Sequence, residues 1–169
     1  MNIDLNSFER EKAIDETLQM GGVDLGLANA RVGSAIRLDG KAVKSAGVIA
    51  LTGRLSGSVE LDCDRCLEPV ERPLDIELDL EFVPNQRLAD KANVELHPDD
   101  LKRDEIDGSE IDLVDIAREQ ILLDLPHQFF CMDDCKGLCE KCGANLNLKV
   151  CDCEDNEIDP RWAGLQNLN

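Results

Sequence analysis

Eight cysteines constrain this chain more than any other feature, because they are bunched rather than spread. Cys63 and Cys66 form a C-x2-C pair near the middle. Cys131, Cys135, Cys139, Cys142, Cys151 and Cys153 crowd into one polar stretch near the C-terminus. A lone cysteine is usually a small core hydrophobe, but packing does not explain six thiols set among Gly, Asn and charged residues. The N-terminal stretch MNIDLNSFEREKAIDE is charged by its fourth residue and lacks the apolar core of an export signal. No apolar run approaches the roughly 18 residues of a membrane span. A reducing, cytoplasmic location is therefore expected, where a disulfide framework is disfavoured and clustered thiols point to metal or redox chemistry.

Two thiolates three positions apart can grip one tetrahedral ion, so CEKCG at 139–143 reads as a zinc knuckle. The glycine after its second cysteine lets the backbone turn back toward the sulfurs. Cys151 and Cys153 can complete that set, although C-x-C is a tighter bite than C-x2-C. Cys131 and Cys135 then remain to meet Cys63 and Cys66 if the chain folds back. Eight thiols divide into two fours in about 35 ways, so this pairing rests on sequence proximity alone. It predicts one or two zinc ions, one site closing the tail on itself and one stapling it to the body of the protein. Four thiolates leave no open coordination position, which makes such sites structural. An iron–sulfur cluster and free or redox-active thiols are the competing readings.

The rest of the chain predicts an α+β fold. Residues 7–20 read as a short helix, with Ser7 as N-cap, Gly21-Gly22 as stop and Phe8, Ala13, Ile14 and Leu18 as its apolar stripe. Alternation over 31–38 leads into a turn signal at Asp39-Gly40. Residues 47–52 and 55–61 read as two strands, with Gly57 marking a bulge. From Leu74 to Phe82, apolar Leu74, Ile76, Leu78, Leu80 and Phe82 alternate with acids, as in a half-buried antiparallel strand. The first cysteine pair thus falls at a strand-to-strand turn. Residues 84–108 form a long polar connection. A capping-box pattern at 109–112 then opens a helix over 110–125, with Ile111, Val114, Ile121, Leu122 and Leu125 at helical spacing, Glu119 solvated and Pro126 ending it. Pro160 starts a last short helix that packs Trp162 on the domain.

Together these readings give an antiparallel sheet, open or barrel-like, packed against one long helix and followed by a zinc-knuckle-like tail. Residues 1–126 would form the core, with 23–83 mainly strands. Residues 127–169 would form the cysteine-rich metal-binding tail and its short helix.

Charge narrows the function. The 169 residues carry 36 acids against 18 bases, for a net charge of −18, with four Phe, one Trp and no Tyr. A nucleic-acid binder needs Lys and Arg against phosphates and aromatics against bases. Here the candidates for a basic face are scattered: Arg31, Arg37, Lys41, Lys44 and Arg54. So much acid either solvates the surface or attracts basic partners, of which ribosomal proteins are the largest cellular pool. Catalytic signals are thin. His97 and His127 both fall in expected loops, and there is no P-loop, G-x-G-x-x-G, G-x-S-x-G or H-E-x-x-H. A protein that is not an enzyme and has no small-molecule substrate is expected.

Four segments go beyond generic chemistry: LDCDRCLEPV at 61–70, EQILLDLP at 119–126, CKGLCEKCGANLN at 135–147 and IDPRWAGL at 158–165. In order and spacing the chain resembles the bacterial YceD family over roughly residues 46–168. That family is known as the large ribosomal RNA subunit accumulation proteins. The resemblance implies a role in synthesis, processing or stability of 23S rRNA, without a catalytic site. Joined to the charge, it implies action through basic ribosomal or assembly proteins, with weak or indirect contact to rRNA. The alternative is a zinc-stabilised regulator or a cysteine-based redox or zinc sensor. A nuclease would need a carboxylate cluster that does not stand out from the acidic background.

Overall fold

The computed structural model describes residues 1–33, 35–84, 103–106 and 108–153. Its frame is a sheet of long strands: β2 (Glu11–Gln19), β4 (Ala35–Ser45), β5 (Val48–Asp62), β6 (Pro69–Pro84) and β7 (Arg103–Ile106), side by side in that order. A short β3 (Ala30–Val32) continues the β4 lane and pairs the far end of β5. Separately, β1 (Asn2–Asp4) pairs β8 (Glu110–Asp112), which leads into the helix α1 (Leu113–Asp124). The pairing is antiparallel except between β6 and β7, which run parallel. The expected sheet and helix are present, but the helix has 12 residues and is no longer than average.

Alternation drives the β5–β6 hairpin, which is paired continuously from Ile49↔Phe82 to Asp62↔Pro69. On β5 the odd positions face inward, burying Ile49, Leu51, Leu55, Val59 and Leu61; on β6, Leu74, Ile76, Leu78 and Phe82 do so. Asp75, Glu77 and Asp79 stay exposed on the other face, as the sequence predicts. Residues 48–61 therefore belong to one strand, not two, and Gly47 falls in the preceding turn. Gly57 makes no bulge: it pairs in register with Leu74, and a side chain there would strike Ile36 Cδ1 at 2.4 Å. Gly40 and Gly53 face each other where the sheet curls into a half-barrel, and a Cβ on Gly40 would lie 2.3 Å from the Thr52 carbonyl oxygen. Asp39-Gly40 is thus a mid-strand close approach. The turn comes later, at Ala46-Gly47, whose φ values of 50° and 78° make the two-residue hairpin that matches the twist of its strands.

The first predicted helix is a strand. Residues 5–7 form a single 3-10 turn, and Glu11–Gln19 pairs with β4 from Glu11↔Val43 to Gln19↔Ala35. Its buried residues, Ile14 and Leu18, are four apart, a spacing that about one helical turn and two two-residue β repeats share. Long-range pairing with Ile36, Leu38 and Ala42, all fully buried, decides for the strand. The second helix starts three residues later than predicted. Glu110–Asp112 extends to pair β1, with Ile111 opposite Ile3, and Asp112 is the actual N-cap, accepting from the Val114 amide at 2.8 Å. Leu113, Ile116, Ala117 and Ile121 are buried under the sheet, while Val114, Leu122 and Leu125 are only partly covered.

Residues 84–108 were expected to be a connection throughout, but Arg103–Ile106 adds β7 to the sheet. His97, the rest of that connection apart from Pro84 and Gly108, and the final helix with Trp162 lie outside the described residues.

Basic residues on the sheet are engaged by acids of neighbouring strands. Arg54 meets Asp75 and Glu77 at 3.1 and 3.2 Å, Arg31 meets Glu60 and Asp62 at 3.2 and 3.1 Å, Arg37 meets Asp15 at 3.0 Å and Lys41 meets Glu11 at 3.6 Å. Lys44 donates to the Leu5 and Phe8 carbonyls and lies over the Phe8 ring.

Two substitutions should move stability in opposite directions. Gly40→Ala drives a methyl into backbone and should cost about 3 kcal/mol. Ala46→Asn relieves a left-handed alanine with the side chain best suited to that turn, and should add up to about 1 kcal/mol. Urea unfolding midpoints at constant m-value check both.

Candidate metal centres

The β5–β6 hairpin does not close on a tight turn but on the loop 63–68, which presents two cysteines at the end of the sheet. That loop is built by a specific pair of hydrogen bonds. The Leu67 amide donates to the Cys63 carbonyl at 2.9 Å and the Cys63 amide to the Glu68 carbonyl at 3.0 Å, with Leu67 at φ 59°. Residues 139–144 repeat the construction. The Gly143 amide donates to the Cys139 carbonyl and the Cys139 amide to the Ala144 carbonyl, both at 2.8 Å, with Gly143 at φ 68°. Leu67 therefore stands where the second turn has glycine. Aligning CDRCLE with CEKCGA reveals the equivalence, but leucine masks it for any search that requires glycine.

The chain after α1 folds back onto the first loop. The Asp64 amide donates to the Phe129 carbonyl at 2.9 Å, and the Phe129 amide to the Asp64 carboxylate at 2.7 Å. Arg65 fastens the rest: its guanidinium donates to the Cys135 carbonyl at 2.9 Å and lies over the Phe130 ring, while its own carbonyl accepts from the Leu138 amide. Gly137, at φ 75°, lets the backbone pass that carbonyl, since a Cβ there would lie 3.0 Å from the Arg65 oxygen. None of these contacts was singled out from the sequence, because each depends on segments about 70 residues apart.

This folding gathers the eight thiols into two sets of four: Cys63, Cys66, Cys131 and Cys135, and Cys139, Cys142, Cys151 and Cys153. Within each set all sulfurs lie within 4.8 Å of one another, and each set could hold a metal ion. In the inner set, Cys63 and Cys135 are 3.8 Å apart and Cys66 and Cys131 are 3.6 Å apart. Cys63, Cys66 and Cys135 are buried there, whereas in the outer set Cys142 is exposed and the other three are half-buried. The grouping is the one expected from sequence order. His127 lies exposed on the segment after α1 and belongs to neither set.

Packing four thiols together splits their acidities. Burial works against ionising Cys63, but amides of Cys66, Cys131 and Arg65 and the Cys66 thiol outweigh it and bring its pKa down to about 6. Cys131 goes the other way, pushed up to about 12 by burial and by the thiols of Cys66, Cys135 and Cys63. In the outer set, amides of Cys142 and Lys141 and the thiols of Cys151 and Cys142 lower Cys139 to about 6, while the Cys142 and Cys139 thiols push Cys153 up to about 12. The inner set thus favours thiolates at Cys63 and Cys135 and resists them at Cys66 and Cys131, the outer set favours one at Cys139 and resists it at Cys151 and Cys153, and a bound cation would supply the charge that the resisting thiols need. Asn147 adds a donor to the Cys135 sulfur at 3.3 Å.

Residues 51–169 match the family model described as large ribosomal RNA subunit accumulation protein YceD. Among curated proteins, YlbN of Bacillus subtilis is 28% identical over 96% of this chain and 88% of its own length. An uncharacterised Mycobacterium tuberculosis protein is 29% identical over 79% of this chain and 61% of its own length. The chloroplastic large ribosomal RNA subunit accumulation protein YCED homolog 1 of Arabidopsis thaliana is 27% identical over 80% of this chain. The matched region spans about half the length of that plant protein (49%). No solved structure matches.

Counting bound metal tests the grouping. Cys63→Ser and Cys142→Ser should each lose one of two equivalents, and the double variant both; loss of both ions from either single change would contradict two independent sites. Protons compete for the same sulfurs, so metal retention should fall as the pH drops through about 6, where Cys63 and Cys139 take up protons.

Proposed function

Because this chain belongs to the YceD family, we propose that it is a non-catalytic cytoplasmic factor for 23S rRNA synthesis, processing or stability, and hence for large ribosomal subunit assembly. The match of residues 51–169 to a family described by large ribosomal RNA accumulation carries this reading. The plant relative's name points the same way.

Zinc is the ion that the donor sets fit best. At a Zn–S distance of about 2.3 Å, a tetrahedron places its sulfurs about 3.8 Å apart, close to the inner-set spacings of 3.6 and 3.8 Å. Thiolates on the separate irons of a cluster point outward and stand farther apart. Zinc held by Cys63, Cys66, Cys131 and Cys135, and by Cys139, Cys142, Cys151 and Cys153, would have no open position. Its contribution would be to hold two zinc knuckles in place. Each filled site carries a net −2 and adds to the acidity of the region.

The partners are basic proteins. Arg31, Arg37, Lys41 and Arg54 are already engaged by carboxylates, which supports recognition of basic protein segments over phosphate gripping. Acid excess steers such partners and makes the association sensitive to salt.

Depletion of the protein should lower 23S rRNA and free large subunits while sparing 16S rRNA, as read by the 23S-to-16S ratio and sedimentation profiles. An unchanged ratio would overturn the proposal. Association with large-subunit precursors should weaken steeply as salt rises, and tight, salt-insensitive binding to naked rRNA would contradict action through basic proteins.

A further inference from the structure

The two four-thiol sets share their ligand type and their turn construction but differ in what surrounds them. The inner set takes Cys63 and Cys66 from a loop held between a 15-residue and a 16-residue strand. Its other two cysteines are clamped to that loop by Arg65, Asp64 and the Gly137 contact. Three of its four residues are no more than 4% exposed. The outer set comes entirely from residues 139–153, whose only strand-like pairing among the described residues is the single bridge Leu138↔Asn145. Cys142 is exposed, and a Cβ added at the neighbouring Gly143 would meet nothing within 4 Å. Leu148 and Val150, just before Cys151, are 79% and 92% exposed.

We propose that the outer set is an exchangeable metal site, while the inner set holds its ion as a permanent staple. This rests on the reading of both sets as zinc sites. A saturated tetrahedral zinc ion exchanges when an incoming thiol or chelator bonds to it as a fifth ligand and one cysteine thiolate leaves, taking up a proton. The metal stays divalent and no electrons move. That step requires room beside the ion and a ligand loop that can swing away. The outer set has both, at Cys142 and in the short segment up to Cys153. The inner set lacks both, because three of its four cysteines are buried and its loops are fastened by hydrogen bonds across the junction.

The inner site joins a loop presented by the sheet to a return segment fastened by hydrogen bonds, whereas the outer segment is tied down by Asn145 and Asn147 and, beyond Lys149, depends on its two cysteines meeting a metal. Metal at the outer site therefore orders the segment that carries Leu148 and Val150, and losing the metal releases it. The exposed end of the module becomes conditional on metal supply, while the sheet and its staple do not.

Zinc-loaded full-length protein challenged with excess chelator should release one equivalent in a fast phase and the second at least about ten-fold more slowly, the scale on which supporting contacts alter metal affinity. Cys142→Ser should remove the fast phase alone and leave the sheet's circular dichroism unchanged. Alkylation stopped after the fast phase should label Cys139, Cys142, Cys151 and Cys153 and spare Cys63, Cys66, Cys131 and Cys135. Two ions leaving in a single phase, a fast phase that survives Cys142→Ser, or early labelling of the inner thiols would overturn the inequality while leaving two zinc sites standing. Fewer than two bound ions would overturn both.

Discussion

The junction between the loop at 63–68 and the segment at 129–138 is the contact on which the described chain after α1 depends. Cys63 and Cys135 are 72 positions apart in sequence and 3.8 Å apart at their sulfurs. Closing so long a loop is entropically unfavourable, and a handful of hydrogen bonds and one cation–π contact must offset it. The long hairpin helps by presenting its loop as a preformed ledge, since the pairing of β5 and β6 runs right up to Asp62↔Pro69. The four inner thiols do not form a relaxed cluster by themselves: burial and mutual proximity hold Cys131 far above the ordinary thiol range while Cys63 falls below it. A bound divalent cation would remove that conflict and turn a crowded set of thiols into a cross-link. The outer turn is then laid down on the inner one, through the Leu138 amide to the Arg65 carbonyl and through Asn147 to the Cys135 sulfur.

The sheet's contribution to function is of another kind. Its strands are amphipathic in the simplest way, with apolar side chains inside and charge outside, and Arg31, Arg37, Lys41 and Arg54 are matched to acids across neighbouring strands. Each such exposed pair adds little to stability. Their collective effect is on the field: with the bases partnered, what a passing molecule meets is the surplus of carboxylates. A chain with a net charge of −18 repels nucleic acid at long range and attracts cationic protein segments. The proposed non-catalytic role in large-subunit assembly fits that field, with the thiol sites assigned there to maintaining shape.

How much of this was readable from sequence varies from one element to the next, for physical reasons. The strand at 74–82 was plain, because five apolar residues alternate with acids and no helical period fits them. The strand at 11–19 was not, because Ile14 and Leu18 satisfy both periods and only the pairing with β4 separates them. Asp39-Gly40 resembles a turn locally, yet its glycine serves a close approach to Gly53, while the actual turn uses an alanine that no turn rule favours. The capping pattern at 109–112 failed because Ile111 gains more by pairing with Ile3 than by starting a helix. At the thiol sites, sequence order was enough to sort eight cysteines into two fours. What it could not supply was the Arg65 clamp and the difference in burial, which arise only when distant segments meet; the Leu67 turn is local, but leucine hides it where glycine is expected.

X-ray absorption at the metal edge of the purified full-length chain tests the central claim, that each four-thiol set closes around a single ion. The expected spectrum has one shell of four sulfurs at about 2.3 Å and no metal–metal distance. A shell containing nitrogen or oxygen, or a short metal–metal distance, would contradict it.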